Sequence, residues 1–117
     1  MIYVIDDDEI MADCIAKACG EKNEIHMFSN AIEAVRAIDA AGTPDLIFLD
    51  ILLDGPDGFT LLNELASYED TAKIPVVVVS SLNFKERDLK AYGVVGVLDK
   101  GTMMPLEIKQ YVEEYCD

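Results

Sequence analysis

Short apolar runs alternate along the chain with longer segments in which apolar residues recur every three or four positions. Five of these runs have the length of strands and are bounded by polar or turn-forming residues; they cover residues 2–5, 24–28, 46–49, 76–79 and 94–98. A continuous apolar run is typical of a strand that is covered on both faces in a parallel sheet. The pattern therefore predicts five parallel strands.

The segments between these runs have the periodicity of helices with one apolar face. Residues that favour helix starts precede them: Asp7 or Asp8 comes before the first helix, and Ser29 or Asn30 before the second. A fourth, mostly polar helix is predicted over residues 83–92. Strands that alternate with helices in this way predict an α/β fold, with helices on both faces of the sheet.

The composition indicates one small globular domain. The chain has 117 residues, of which 51% are hydrophobic, and this is enough for one core. We expect residues 1–117 to form a single domain without an output domain. No apolar run approaches the roughly 18 residues that a membrane span needs. An acidic stretch stands where a signal peptide would be basic, so we expect a cytoplasmic protein.

The charge and the cysteine content argue against several classes of function. The 23 acidic and 9 basic residues give a net charge of −14, which opposes direct binding to the phosphate backbone of nucleic acid. The cysteines, Cys14, Cys19 and Cys116, are odd in number, and the first two lie in an apolar helical pattern. A disulfide framework or a thiolate metal site is therefore not expected.

Polar side chains follow four of the predicted strands at the points where the strands end. Asp6 and Asp7 follow the first strand, Asp50 the third and Ser80 the fourth, and Lys100 comes just after the fifth. In an open parallel sheet the carboxyl ends of the strands form one edge, where ligands bind. Clustered carboxylates attract a hard cation such as Mg²⁺, and a lysine supplies a charge for phosphate oxygens. These residues predict phosphoryl transfer with a carboxylate as the acceptor.

The strand-end residues belong to a set of short motifs. The motifs are Asp6-Asp7-Asp8, Phe48-Leu49-Asp50, Asp57-Gly58, Val79-Ser80-Ser81 and Asp99-Lys100. Together they resemble the receiver domain of two-component response regulators, and the resemblance covers essentially the whole chain. It implies a flavodoxin-like (βα)5 fold with a five-stranded parallel sheet in the order 2-1-3-4-5.

The resemblance also implies roles for the site residues. Asp50 accepts a phosphoryl group from the phosphohistidine of a sensor histidine kinase or a histidine phosphotransfer protein, and Ser80 and Lys100 hold the phosphoryl oxygens. The implied Mg²⁺ ligands are Asp6, acting through water, Asp7, Asp50 and the backbone carbonyl of Leu52. Phosphorylation switches binding to a downstream protein target, and homodimer formation is left open. The domain takes part in its own phosphorylation and slow dephosphorylation but is not expected to be a turnover enzyme.

Three positions depart from the family pattern. The proline expected in the loop after the acceptor falls at Asp54, with Pro56 two places on, and the usual aromatic residue of the fifth strand is Val97. The proline that normally follows the lysine is Gly101. A cis peptide costs about 2.5 to 4 kcal/mol before a residue other than proline, so a trans Lys100–Gly101 peptide repositions the lysine. We expect the chemistry to be intact and the output switch to differ.

Two leucines bear on the lifetime of the phosphorylated state. In the family, hydrolysis of the aspartyl phosphate depends partly on the side chains two places after the acceptor and two places after the serine or threonine. These positions are Leu52 and Leu82 here. Apolar side chains cannot orient an attacking water, so we expect slow dephosphorylation.

Two other functions fit part of the sequence. The segment Val4-Ile5-Asp6-Asp7-Asp8 also resembles the start of haloacid-dehalogenase-type phosphatases, with Asp6 as nucleophile and Asp8 as acid. That interpretation leaves Asp50 without a role. The second alternative is a receiver-like binding module that signals without phosphorylation, which the three departures allow. Mg²⁺-dependent labelling of Asp50 separates both from a receiver.

Overall fold

The structure is a computed structural model that describes residues 1–52, 58–81 and 89–116. Its strands are β1 (Ile2–Ile5), β2 (Ile25–Phe28), β3 (Leu46–Asp50), β4 (Val76–Ser80) and β5 (Val94–Asp99). The α-helices of the described ranges are α1 (Glu9–Cys19), α2 (Ala31–Ala41), α3 (Gly58–Ala66) and α4 (Pro105–Tyr115). Each predicted strand is confirmed to within one residue at either end.

The strands form one parallel sheet in the order β2-β1-β3-β4-β5. The order predicted from the family resemblance is confirmed, and the α/β class with it. Because all neighbouring strands are parallel, their carboxyl ends meet at one edge of the sheet. This edge collects the polar residues that follow the strands.

Two apolar cores lie on opposite faces of the sheet, because side chains alternate in direction along a strand. On one face Tyr3 and Ile47 pack with residues of α2 and α3. On the other face Val4 and Phe48 pack with residues of α1 and α4. Every residue of β1, β3 and β4 is buried, as the continuous apolar runs predict. The strands that carry the polar edge are thus held rigidly from both sides.

Side-chain caps fix where the first two helices begin. Asp8 Oδ1 accepts the backbone N–H groups of Ile10 at 3.0 Å and Met11 at 3.2 Å, which caps α1. Asn30 Oδ1 accepts the N–H of Glu33 at 2.9 Å at the start of α2. Between the alternatives that the sequence left open, the structure uses Asp8 and Asn30.

The predicted fourth helix falls largely outside the described residues. Other residues singled out in the sequence also lie outside the described ranges: Asp54, Pro56, Asp57 and Leu82. The described end of this segment is a 3₁₀ helix over Lys90–Tyr92, preceded by the buried Leu89. None of the helices in the described ranges is long and apolar enough to span a membrane.

Candidate functional site

Five side chains from four strand ends meet at the carboxyl edge of the sheet. Asp6 follows β1, with Asp7 next to it, Asp50 is the last residue of β3, Ser80 is the last residue of β4, and Lys100 follows β5. Asp6, Asp50 and Ser80 are buried, with 3%, 6% and 0% of their surface exposed. Asp7 is exposed and Lys100 half-buried. The residues that the sequence predicted to converge are therefore brought to one edge.

The ammonium group of Lys100 lies between two carboxylates. It donates a hydrogen bond to Asp50 Oδ2 at 3.1 Å and lies 3.1 Å from Asp6 Oδ2. An ion pair between groups that are shielded from water is stronger than a pair on the surface. One cation thus faces two carboxylates that come from different strands, and the cluster keeps an excess of negative charge.

Both buried carboxylates are held by the backbone two residues further on. Asp6 Oδ1 accepts the N–H of Asp8 at 2.9 Å, and Asp50 Oδ1 accepts the N–H of Leu52 at 3.0 Å. This pattern is an Asx turn, in which an aspartate closes the backbone on its own side chain. One oxygen of each carboxylate is therefore fixed by the turn, while Oδ2 faces Lys100.

Burial and neighbouring charges oppose each other in this cluster. Burial raises the pKa of Asp6, and the charge of Asp50 adds to this effect, although the Asp8 N–H and Lys100 act in the opposite direction. Burial lowers the pKa of Lys100, but its hydrogen bond to Asp50 and the charge of Asp6 outweigh burial and raise the pKa overall. The lysine therefore stays protonated at neutral pH, while the Asp6 carboxylate is only partly compensated.

The acidic cluster fits a divalent cation. Carboxylate oxygens of Asp6, Asp7 and Asp50 all lie within 4.8 Å of one another. Asp6 Oδ2 is buried and has no hydrogen-bond partner among the described residues, although Lys100 is near it. Mg²⁺ takes oxygen ligands at about 2.1 Å, usually from one or two carboxylates with retained waters. The three carboxylates and the buried oxygen that accepts no hydrogen bond both suit this ion.

Gly58, the first residue of α3, closes the loop that follows Asp50. Its N–H donates to the carbonyl of Ile51 at 3.0 Å. A Cβ at this position would lie 2.9 Å from the carbonyl oxygens of Asp50 and Ile51, so a side chain does not fit. The sequence contains this glycine in the Asp57-Gly58 motif, but only the fold shows that it packs on the backbone of Asp50 and Ile51. Leu52, next in that loop, is 48% exposed.

The end of β5 is tied to the end of β4. The Lys100 N–H donates to the carbonyl of Ser80 at 3.0 Å. No peptide bond among the described residues is cis, so the Lys100–Gly101 peptide is trans. Val97 is half-buried against the core on the α2 and α3 side. Val97 and the trans peptide before Gly101 thus leave Lys100 within reach of both carboxylates, whereas Asp54 and Pro56 lie outside the described residues.

Comparison with known proteins identifies the family. The model of the response regulator receiver domain matches residues 2–113. This chain belongs to that family. Over 83 residues, which make up 70% of this chain, the receiver domain is 35% identical to the response regulator PleD of Caulobacter vibrioides. The matched segment covers 18% of the length of PleD.

Solved structures show the same fold. The receiver domain of NtrX from Brucella abortus superposes with a TM-score of 0.81 at 27% identity, covering 98% of this receiver domain and 97% of that chain. The phosphorylated cyanobacterial phytochrome response regulator RcpA superposes with a TM-score of 0.79 at 25% identity. The match covers 97% of this receiver domain and 91% of the RcpA chain. The predicted family and fold are both confirmed.

Proposed function

We propose that this receiver domain accepts a phosphoryl group on Asp50, in a Mg²⁺-dependent transfer from the phosphohistidine of a sensor histidine kinase or a histidine phosphotransfer protein. One observation carries the proposal: Lys100 Nζ lies 3.1 Å from Oδ2 of both Asp6 and Asp50. A buried carboxylate beside a fixed cation at the open edge of a parallel sheet suits attack on a phosphoryl group.

Asp50 Oδ2 is the candidate nucleophile, because it faces the Lys100 ammonium at 3.1 Å, whereas Oδ1 is held in the turn by the Leu52 N–H at 3.0 Å. Oδ2 forms the new bond to phosphorus while the bond from phosphorus to the imidazole nitrogen breaks, and the electron pair leaves with the imidazole. The product is an acyl phosphate and a free histidine. Lys100 then pairs with a phosphoryl oxygen, and Ser80 at the end of β4 is proposed to hold another.

Four groups are proposed to hold the metal ion: Asp6 through water, Asp7, Asp50 and the carbonyl of Leu52. When bound, Mg²⁺ neutralises negative charge on phosphoryl oxygens and helps to orient them. Asp7 is exposed, so it can exchange water for a ligand without disturbing the core. Asp6 is anchored through Oδ1 by the Asp8 N–H, and its Oδ2 faces the Lys100 ammonium at 3.1 Å.

The product of this reaction is expected to act through protein contacts. RcpA, at 25% identity, was crystallised as a phosphorylated protein, which supports phosphorylation of a similar fold. The net charge of −14 opposes direct binding to nucleic acid, so the proposed output is a change in affinity for a downstream protein. We propose no turnover reaction, since the phosphoryl group ends on the protein itself.

Asp8 offers no support for phosphatase chemistry of the haloacid-dehalogenase type. That mechanism needs Asp8 as a free acid, whereas Asp8 Oδ1 caps α1 by accepting two backbone N–H groups. Asp6, which would be the nucleophile in that phosphatase mechanism, faces Lys100. The proposed receiver mechanism needs no free acid at Asp8, which can remain the cap of α1.

The proposal is tested by incubation with a phosphohistidine donor protein and measurement of the intact mass. We expect a gain of one phosphoryl group in the presence of Mg²⁺, and none after chelation of the metal. Asp50→Asn should take no label, whereas Asp39→Asn, which changes an exposed aspartate of α2, should be labelled like the parent. Equal labelling of Asp50→Asn and the parent would overturn the proposal.

A further inference from the structure

A third Asx turn lies at the end of β5, at Asp99, to which the sequence assigns no role in the site. Asp99 Oδ1 accepts the N–H of Gly101 at 2.7 Å. The turns at Asp6 and Asp50 have the same geometry, with the N–H of the second following residue as donor. Three of the five strands therefore end in, or are directly followed by, an aspartate whose side chain accepts the backbone N–H two residues further on. Two of these aspartates are in the site, and the third directly precedes Lys100.

Asp99 also organises the rest of the loop that leads to α4. Its carbonyl accepts the N–H of Thr102 at 3.2 Å and that of Met103 at 2.8 Å. Together with the side chain, Asp99 thus holds the three consecutive N–H groups that follow Lys100. The N–H of Lys100 itself is held by Ser80, so the backbone is fixed on both sides of the lysine.

The turn requires a residue with a backbone N–H after Lys100. Gly101 has one, whereas proline, the residue expected there by resemblance, has none. The backbone of this loop is therefore held by a hydrogen bond that the Gly101 N–H donates to Asp99. The Asp99 side chain is exposed, and Asp99 is the residue directly before Lys100. We propose that Asp99 is a positioning residue, which sets the direction of Lys100 toward Asp50 through its hydrogen bond to Gly101.

The inference rests on the proposed function of Asp50, since a positioned lysine matters only if it meets a phosphoryl group. Lys100 reaches across the edge to carboxylates of β1 and β3 with 3.1 Å contacts. A displacement of about 1 Å in a catalytic group can cost about a hundred-fold in rate. Loss of the Gly101 hydrogen bond leaves an N–H that water can reach, so the fold is expected to survive the change.

The test compares Asp99→Ala, which removes the acceptor, with Asp99→Asn, which keeps Oδ1 and removes only the charge. Asp39→Ala on α2 is the matched control for loss of an exposed aspartate. The first readout is the rate of Mg²⁺-dependent labelling of Asp50 by acetyl phosphate, with the Mg²⁺ dissociation constant measured separately. The second is acetylation of Lys100 by N-hydroxysuccinimidyl acetate in the unphosphorylated protein, with exposed Lys109 as the internal reference.

We expect Asp99→Ala to be labelled about ten-fold more slowly, with an unchanged Mg²⁺ dissociation constant and several-fold faster acetylation of Lys100. Asp99→Asn should match the parent in both readouts. The proposal is overturned if Asp99→Ala matches the parent in either readout, or if Asp99→Asn loses as much as Asp99→Ala. A parent protein that takes no label overturns the proposed function instead, and acetylation of Lys100 then decides the positioning role alone.

Discussion

Lys100 and Asp50, 50 positions apart in the chain, are joined by a 3.1 Å hydrogen bond from the ammonium group to Asp50 Oδ2. The same ammonium lies 3.1 Å from Asp6 Oδ2. One cation therefore serves two buried carboxylates, and the remaining negative charge is available to a metal ion. Stability, metal affinity and reactivity are linked through these three side chains.

Asp6 is expected to destabilise the metal-free fold at neutral pH. Its pKa is raised in the folded state, chiefly by burial. The folded state therefore holds the proton at pH values where the unfolded chain has lost it, and the contribution of Asp6 to stability falls as pH rises above about 4. Asp6→Asn, which keeps an acceptor for the Asp8 N–H, should raise the melting temperature at pH 7 without Mg²⁺.

The measurement is thermal unfolding of parent and Asp6→Asn between pH 3 and pH 8. The gain should shrink as pH falls from 7 toward about 4 and change no further below that, where Asp6 is protonated in both the folded and the unfolded state. Asp39→Asn is the control, since Asp39 is exposed. A lower melting temperature for Asp6→Asn at pH 7 would show that its ion pair with Lys100 outweighs burial.

Metal binding should depend on the clustered carboxylates. Asp7→Ala and Asp50→Ala each remove one of three carboxylates whose oxygens lie within 4.8 Å. Each variant should weaken Mg²⁺ binding about ten-fold or more, which corresponds to about 1.4 kcal/mol. Isothermal titration calorimetry measures this, with Asp39→Ala as the control. Parent-like affinity in both variants would mean that Mg²⁺ does not bind at this edge.

The placement of the site can be predicted from the amino-acid sequence, because the signals for it lie within each strand segment. Each strand is an apolar run that stops at a polar residue, and parallel pairing then brings Asp6, Asp50 and Lys100 to one edge. That Lys100 contacts both carboxylates at 3.1 Å could not be predicted, because it depends on strand register and side-chain rotamers. The Asx turn at Asp99 has only a weak local signal, an aspartate two residues before a glycine.

Other features depend on packing between distant elements. A Cβ at Gly96 would overlap the ring of Tyr111, so this glycine of β5 makes room for an aromatic side chain of α4. Similarly, Gly58 is needed because α3 starts against the backbone of Asp50 and Ile51. Neither contact has a signature in the sequence, since each joins residues whose separation is set only by the fold.

Cys19 should make the fold sensitive to alkaline pH. Burial, with a contribution from Cys116, raises the pKa of its thiol from 9.0 to about 12. Between these values the unfolded chain loses the proton and the folded state keeps it, so stability falls as pH rises above about 9. From pH 8 to pH 10, the free energy of unfolding of the parent should fall by about 1.4 kcal/mol more than that of Cys19→Ala.

Chemical denaturation at the two pH values gives these free energies. Cys14→Ala is the matched control, since Cys14 is exposed at the middle of the same helix. It should show the same pH dependence as the parent. An identical loss in the parent and in Cys19→Ala would exclude the buried thiol as the cause.

The phosphorylated state should be long-lived. Leu52, two residues after Asp50, is 48% exposed and offers no polar group to orient an attacking water. The sequence predicts the same of Leu82, which lies outside the described residues. Leu52→Asn combined with Leu82→Glu should accelerate dephosphorylation about ten-fold or more, or about 1.4 kcal/mol of barrier. Loss of phosphate from labelled protein, measured at constant Mg²⁺ after removal of the donor, checks this. A double variant no faster than the parent would contradict it.

The central claim is that Asp50 receives the phosphoryl group, and mapping of the modified residue tests it most directly. Borohydride reduces an acyl phosphate of aspartate to homoserine, which peptide mass spectrometry locates in the chain. After phosphorylation with Mg²⁺, we expect homoserine at position 50 and no reduction at Asp6 or Asp7. Homoserine at position 6, or at neither position in protein that has gained a phosphoryl group, would contradict the account.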